Sequence, residues 1–386
     1  MVLNINKPGL LKLMDSLKKL VVDYCREMQT FTGLKNLEVY NKFNHGSFNI
    51  GNVKIKNPII SAPLAGISDN TFRIFASAFG TALNFTEMIS SFGVHYNNRA
   101  TEKLSYITEY ERPCAVQIFG CDPEIILEAA QKLEERADII DINMGCPVPK
   151  VLKTKSGGFL LNDKKNVEKI IFKVAGKIKK PLTIKIRLGW DANNINAPDI
   201  VKIAENNGAA AVTIHGRTVK QGFNGKADYE IIKTIKENSK IPVIVSGDIN
   251  SPRKAKQVLD YTGCEAAMIG RSARGKPWIF FNMISCLNNF SIKRNTTEKN
   301  DRNRLLPDSN IILDLFNFEP SNEFKKKFSL LYLKFLIEFE GEESAVRQFR
   351  KYLVWIFKGV SNISRIKKEF FTIKNCNDLA ELLNPI

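Results

Sequence analysis

The sequence predicts a closed (β/α)8 TIM barrel followed by a small C-terminal helical domain. Between Pro58 and Leu287, short β-branched runs alternate with amphipathic stretches, which is the pattern of strand–helix repeats. The runs are apolar at almost every position, as in a parallel sheet covered on both faces. Eight such runs fit a barrel. A doubly wound open sheet is the alternative, but no Gly-x-Gly-x-x-Gly follows the first run.

The eight predicted strands are Ile59–Pro63, Leu83–Met88, Ala115–Phe119, Ile139–Met144, Leu182–Leu188, Ala211–His215, Val243–Gly247 and Ala267–Gly270. Between them, helical periodicity covers Glu124–Arg136, Asn166–Ile178, Pro198–Asn206, Tyr229–Asn238 and Pro252–Leu259, and Trp278–Leu287 forms the last barrel helix. Ahead of the barrel, Phe48–Ile55 alternates around Gly51-Asn52, which predicts a hairpin plugging the barrel floor. Residues 1–47 form a helical extension, and 48–287 form the barrel. Residues 288–322 form a linker or insert, whose tract Asn288–Arg304 is too poor in apolar surface to offset its ordering entropy. Residues 323–386 turn helical again, with Phe328–Phe339, Glu343–Phe357 and Ile363–Phe371 as helices. In the extension, Leu10, Leu11, Met14, Leu17 and Leu20 share an apolar face expected to pack on the barrel.

Composition narrows the function. The 386 residues are 44% hydrophobic, and no apolar run reaches the roughly 18 residues of a membrane span. Asp15 and Asp23 argue against a secretion signal or transit peptide at the start. Seven cysteines without a Cys-x-x-Cys point to reduced thiols and a cytoplasmic location. Only three histidines, none beside paired cysteines, argue against zinc. A formal net charge of +17 favours a polyanionic partner.

In a barrel of this type the chemistry sits at the C-terminal strand ends. The first end reads Ala62-Pro63-Leu64-Ala65-Gly66, whose small residues let the backbone approach a flat ligand. The third gives Gln117, and the fourth gives Asn143 with Cys146 just beyond. The fifth gives Lys185 and Arg187, the sixth His215 and Arg217, the seventh Ser246-Gly247-Asp248, and the eighth Gly270-Arg271. A lysine inside an apolar strand is costly unless it meets an anion or acceptor. Either an internal ion pair or a flavin ring, where reduction deposits negative charge beside the N1/C2 carbonyl, would satisfy Lys185. The glycines after the last two strands, with Arg271, match a phosphate cradle of backbone N–H groups.

Read in order, these segments resemble the tRNA-dihydrouridine synthases, the bacterial type B branch in particular. The resemblance rests on Ala62-Pro63-Leu64-Ala65-Gly66-Ile67-Ser68-Asp69, Gln117-Ile118-Phe119-Gly120 and Asn143-Met144-Gly145-Cys146-Pro147. It continues through Lys185-Ile186-Arg187-Leu188-Gly189-Trp190, Ile214-His215-Gly216-Arg217-Thr218, Gly247-Asp248-Ile249 and Gly270-Arg271. It implies an enzyme with bound FMN that uses NADPH, or NADH in its place, to reduce the C5–C6 bond of specific uridines in tRNA. Hydride would pass from flavin N5 to C6, and Cys146 would protonate C5. Ala62, Pro63, Leu64, Gln117, Lys185, His215 and Ser246 would hold the flavin, with Gly247, Asp248, Gly270 and Arg271 around its phosphate. Asn143, Lys150 and Arg217 would meet the substrate. In the helical tail, Arg347, Arg350 and Lys351, with Lys358, Arg365, Lys367 and Lys368 around Trp355, would contact tRNA phosphates. The partner is tRNA and the expected state a monomer, with no membrane and no metal.

The chain departs from the family at two places. Ser246 stands where the family usually has Asn, and the bulky Phe159 occupies a small position in the loop after Cys146. Two rival functions remain open at this stage. One is an FMN barrel acting on a small molecule, like a dihydroorotate dehydrogenase. The other is an RNA-binding scaffold that has kept a barrel without its chemistry.

Overall fold

The computed structural model describes residues 8–33, 46–295, 315–360 and 368–385. Among these, the series of strands along the chain is β1 (Phe48–Ile50), β2 (Val53–Ile55), β3 (Ile59–Ser61), β4 (Asn84–Phe85), β5 (Ile89–Ser90) and β6 (Cys114–Phe119). It continues through β7 (Ile139–Met144), β8 (Leu182–Arg187), β9 (Ala211–His215), β10 (Val243–Ser246) and β11 (Ala266–Ile269). Each predicted barrel strand is present, the second divided into β4 and β5, which both pair with β6. From β3 the parallel order passes through β11, β10, β9, β8, β7 and β6 to β4. Hydrogen bonds from Ser61 N to Leu83 O (3.0 Å) and from Ala82 N to Ile59 O (2.9 Å) close the ring. The fold is therefore a closed barrel, and the open-sheet alternative is set aside.

The chain enters its barrel helices through caps written in the sequence. Asp122 accepts from Glu124 N and Ile125 N ahead of Pro123–Leu133, and Ser251 accepts from Lys254 N ahead of Pro252–Thr262. Both helices carry proline in the first turn, where a missing N–H costs nothing.

β1 and β2 form the antiparallel hairpin across Gly51-Asn52. Gly51 has φ +56°, and a Cβ there would fall 2.7 Å from Pro181, so the turn can rest directly on the start of β8. Ile50 and Ile55 are fully buried with Ile60, Ile139 and Ile244 in the barrel's inner apolar cluster.

The helix Pro8–Thr32 buries Leu10, Met14, Leu17, Leu20, Val21, Tyr24, Cys25 and Met28, while Leu11 faces solvent. It packs on the barrel, as expected, and more extensively on the helix Asn322–Glu340, which the sequence did not disclose. Tyr24 is the centre of this junction. Its ring lies 5.5 Å from Phe79, 5.9 Å from Phe281 and 5.4 Å from Phe324. Its hydroxyl donates to Asn282 Oδ1, and Asn282 Nδ2 donates to Phe318 O (2.9 Å). Residues 1–7 and 34–45 of the extension, and 296–314 of the polar segment, lie outside the described residues.

The tail holds helices Asn322–Glu340 and Glu342–Ile356. The third expected helix, Ile363–Phe371, needs correction where it is described: Glu369–Phe371 is a 3-10 turn, and the last α-helix is Cys376–Leu383, capped by Asn375. Within that turn Phe370 is buried while Phe371 is exposed. The Glu342–Ile356 helix docks on the C-terminal face of the barrel. Lys351 Nζ donates to Gly66 O and Tyr352 hydroxyl to Ile67 O, both in the loop after β3. Trp355 packs over Gly275 and under the Arg274 guanidinium (5.1 Å) beyond β11.

Candidate active site

A cavity of about 530 Å3 opens at the C-terminal strand ends, within the range of cofactor sites. Cys146, Lys185 and His215 all line it, together with Ala62, Pro63, Leu64, Gln117, Asn143, Ser246, Gly247, Asp248, Gly270 and Arg271. Arg217, Lys150, Arg347, Arg350 and Lys351 do not line it.

Strand register builds one wall. Gln117 pairs with Asp141 between β6 and β7, and Asn143 with Lys185 between β7 and β8. Asp141 is fully buried and accepts from Gln117 Nε2 (2.7 Å) and Thr183 Oγ1 (2.6 Å). Burial pushes its carboxyl up to about 6, against those two donors and the Lys185 charge. With its amide nitrogen held this way, Gln117 presents its oxygen to Asn143 Nδ2 (2.8 Å). Asn143 Oδ1 then accepts from Cys146 N (2.9 Å) and Gly145 N (3.2 Å). A chain of side chains thus runs from the barrel interior to the turn that carries the thiol.

The thiol turn is clamped from two further sides. Arg187 donates to Gly145 O (2.9 Å), Thr218 O (2.7 Å) and Gly222 O (2.7 Å), tying it to the loop after β9. Gly158 N donates to Cys146 O (3.0 Å), and a Cβ on Gly157 would fall 3.1 Å from Cys146 Cβ. Phe159, the residue at the unusual position, turns its ring edge-on to Trp190 (6.0 Å) and is not part of the cavity wall. Burial raises the Cys146 thiol above its ordinary value of 9.0, opposed by the Val148 N–H and the charges of Arg187 and Lys185. At neutral pH this sulfur carries its proton.

The other wall is built differently. Among the described residues Lys185 makes no hydrogen bond or ion pair, and burial with the Arg187 charge lowers its ammonium to about 8. His215 Nδ1 is buried without a partner. Burial, then Lys185, Arg187, Arg217 and Arg271, push that imidazole down to about 2, so it is neutral. At the ends of β10 and β11 the N–H groups of Gly247, Asp248, Gly270 and Arg271 donate to no acceptor among the described residues. Gly247 has φ +112°, and a Cβ there would fall 3.2 Å from His215 Nε2.

Arg217 stands behind this wall, buried, donating to Asp248 Oδ2 (2.7 Å), Asn224 O (2.9 Å) and Gly225 O (2.6 Å). Asp248 also accepts from Ala227 N and from Arg271 (3.2 Å). Burial alone would raise its carboxyl, but these donors and charges together hold it below the usual range.

Lys150 is exposed on the short helix Pro149–Lys153 that follows the thiol turn. Arg347 is exposed and pairs with Glu343 (3.6 Å), whereas Arg350 donates to Ile373 O (2.9 Å) and Lys351 is taken by Gly66. Lys358 and Lys368 are exposed, and Arg365 and Lys367 lie outside the described residues.

Sequence reasoning missed Asp141, although a carboxylate inside Ile139-Ile140-Asp141-Ile142 is the same signal as a lysine inside a strand. It also gave no role to Arg187 or to Phe223. Phe223 reaches the cavity from the loop after β9 and lies between two guanidinium groups, Arg271 at 4.7 Å and Arg187 at 5.7 Å. Nothing local in Gly222-Phe223-Asn224 marks that placement. Among the described residues no helix is long and apolar enough to cross a membrane, and no three His, Cys, Asp or Glu are grouped to hold a metal.

A sequence model of the family Dihydrouridine synthase (Dus) matches residues 60–385. The chain is 41% identical to tRNA-dihydrouridine synthase B of Pasteurella multocida, over 81% of this chain and 87% of that protein. It is 38% identical to tRNA-dihydrouridine synthase B of Shewanella oneidensis, over 78% and 95%. With tRNA-dihydrouridine synthase B of Escherichia coli the identity is 36%, over 86% and 97%.

Proposed function

The chain belongs to the dihydrouridine synthase family, and from that premise we propose that it is a flavin-dependent oxidoreductase that reduces uridines in tRNA, in the cytoplasm, with FMN bound and NADPH as reductant. The observation that carries this reading is that Cys146, Lys185 and His215 face one cavity. A base turned out of its stack would reach the thiol there.

The groups left without protein partners suit a flavin mononucleotide. Four backbone N–H groups with Arg271 suit its phosphate, the Lys185 ammonium suits its electron-rich ring carbonyl, and His215 Nδ1 is free for a polar contact. When bound, that cofactor supplies hydride to C6 of the pyrimidine. The chain's own residues do the rest. Cys146 Sγ gives its proton to C5, and the thiolate left behind is met by the Val148 N–H and the Arg187 and Lys185 charges. Asn143 acts mainly by holding the thiol turn, and its second amide hydrogen rests on the Met88 sulfur (3.9 Å), a weak acceptor that a pyrimidine edge would displace. Arg217 acts through Asp248, which orients Arg271 at the phosphate. Lys150 and Arg347 offer exposed charge to tRNA, while Arg350 and Lys351 shape the surface that carries it.

The test is to map dihydrouridine in tRNA from cells with and without the gene, and to record the spectrum of the purified protein. The reading requires a yellow protein and the loss of dihydrouridine at defined positions. Colourless protein that takes up no FMN, with an unchanged dihydrouridine map, would refute it. Yellow protein with an unchanged map would favour the small-molecule alternative.

A further inference from the structure

We propose that the exposed aromatic pair Phe92–Tyr96, on the barrel rim beside the cavity, is a stacking platform for a second unpaired nucleobase of the tRNA; this rests on the functional reading above. Met88 lines the cavity, β5 follows at once, and the helix Ser91–His95 follows β5. The helix therefore starts at the strand ends that carry the thiol turn and runs alongside the helix Pro123–Leu133, with Phe92 in its first turn. Tyr96 is 73% exposed and Phe92 39%, with rings 6.5 Å apart and planes 20° from parallel.

The scaffold beneath them is fixed. Ser90 Oγ caps the helix at Gly93 N (3.2 Å), and a Cβ on Gly93 would fall 2.4 Å from Thr101 Oγ1, so the helix lies directly on its neighbour. His95 Nδ1 is bonded to Glu128 (2.6 Å), and its ring meets Tyr96 edge-on at 4.8 Å. Asn98 Oδ1 accepts from Ala100 N (2.9 Å) and starts the helix Arg99–Leu104.

The chemistry of the pair selects the occupant. A protein partner asks for a broad apolar patch. Here two aromatic faces are followed by exposed Asn97, Asn98 and Arg99, and Arg99 forms no ion pair among the described residues. Aromatic faces beside amide and guanidinium groups are the means by which proteins hold splayed bases of single-stranded RNA. The segment also adjoins the tail: Lys103 is paired with Glu340 at the end of the Asn322–Glu340 helix (2.5 Å). An RNA loop lying between the tail and the cavity would pass over this rim.

The experiment is a titration of the full chain with a tRNA transcript at several salt concentrations. Tyr96→Ala is expected to raise Kd about tenfold, and Tyr96→Trp to bind within twofold of the unchanged protein. The slope of log K against log salt should be the same for Tyr96→Ala as for the unchanged protein, and shallower by about one for Arg99→Ala. Under turnover, Tyr96→Ala should raise KM for tRNA with kcat held. Equal affinity for Tyr96→Ala and the unchanged protein would overturn the platform alone. So would a Trp variant as weak as the Ala variant. An unchanged chain that binds no tRNA would overturn the functional reading itself.

Discussion

Across β6 and β7 the polar side chains at the cavity bond to one another, whereas from Lys185 round to Arg271 several groups have no protein partner. Asp141, Gln117, Asn143 and the Cys146 turn form one continuous chain of hydrogen bonds. Among the described residues the Lys185 ammonium, His215 Nδ1 and four backbone N–H groups have no partner. Buried polar groups without partners are costly, and on the proposed function the bound flavin offsets that cost. The first wall sets the position of a reactive atom. The second waits to be completed. A site built wholly on the first plan would be rigid and inert, and one built wholly on the second would be unstable when empty.

The comparison breaks hardest at the thiol. Cys146→Ala should cost dihydrouridine formation about a hundredfold or more while the flavin spectrum persists. On the proposed function the donor is the protonated thiol, and burial raises its pKa in the fold. The protonated fraction is therefore full through neutrality and is lost only as pH rises past the ordinary thiol value of 9.0. Turnover at saturating substrate should be flat near pH 7 and decline on the alkaline side; a decline near pH 6 would place the proton elsewhere.

On the open wall, Lys185→Met should loosen FMN by roughly tenfold to a hundredfold, the scale of a charged hydrogen bond, as read by flavin release on dilution. Unchanged FMN affinity would mean that Lys185 only balances Asp141. Asp141→Asn sharpens the bonded wall. It replaces an acceptor by an amide that competes with Gln117, and it should lower kcat about tenfold by loosening the Cys146 turn. If kcat stays unchanged, the chain of hydrogen bonds does not position the thiol.

The smallest effect concerns the seam beside the tail. Asp69 caps the helix Asn70–Ala78, but its Oδ2 is buried without a partner and near Tyr332 and Tyr352. Burial pushes its carboxyl up to about 7, against the Phe72 N–H and Arg73. The folded state then binds more protons than the unfolded state between about pH 4 and 7, so this group costs stability increasingly as pH rises through that window. Asp69→Asn keeps the cap and should raise Tm by a few degrees at pH 8, with the gain vanishing below pH 4. An equal gain at both pH values would assign it to something other than ionisation.

Much of this was legible in the chain. Strand positions were, because a parallel strand is written as a short apolar run, and any polar residue at its end stands out. Cys146, Lys185, His215 and the glycine pairs were found by that contrast. Asp141 carried the same signal one strand earlier and was passed over. Arg187 was visible, but its three carbonyl partners come from Gly145, Thr218 and Gly222, brought together only by closure of the barrel. The commitments of Arg350 and Lys351 were hidden for the same reason. A basic residue on a helix reads as solvated until the fold shows a carbonyl beside it.

The clasp around Tyr24 has a consequence for how this molecule handles a long substrate. Because the first helix wedges into both the barrel and the Asn322–Glu340 helix, the span from tail surface to thiol is a fixed dimension of one solid body. On the function proposed above, such a body would work as a caliper, reaching a uridine at a set distance from the part of the tRNA held at the tail.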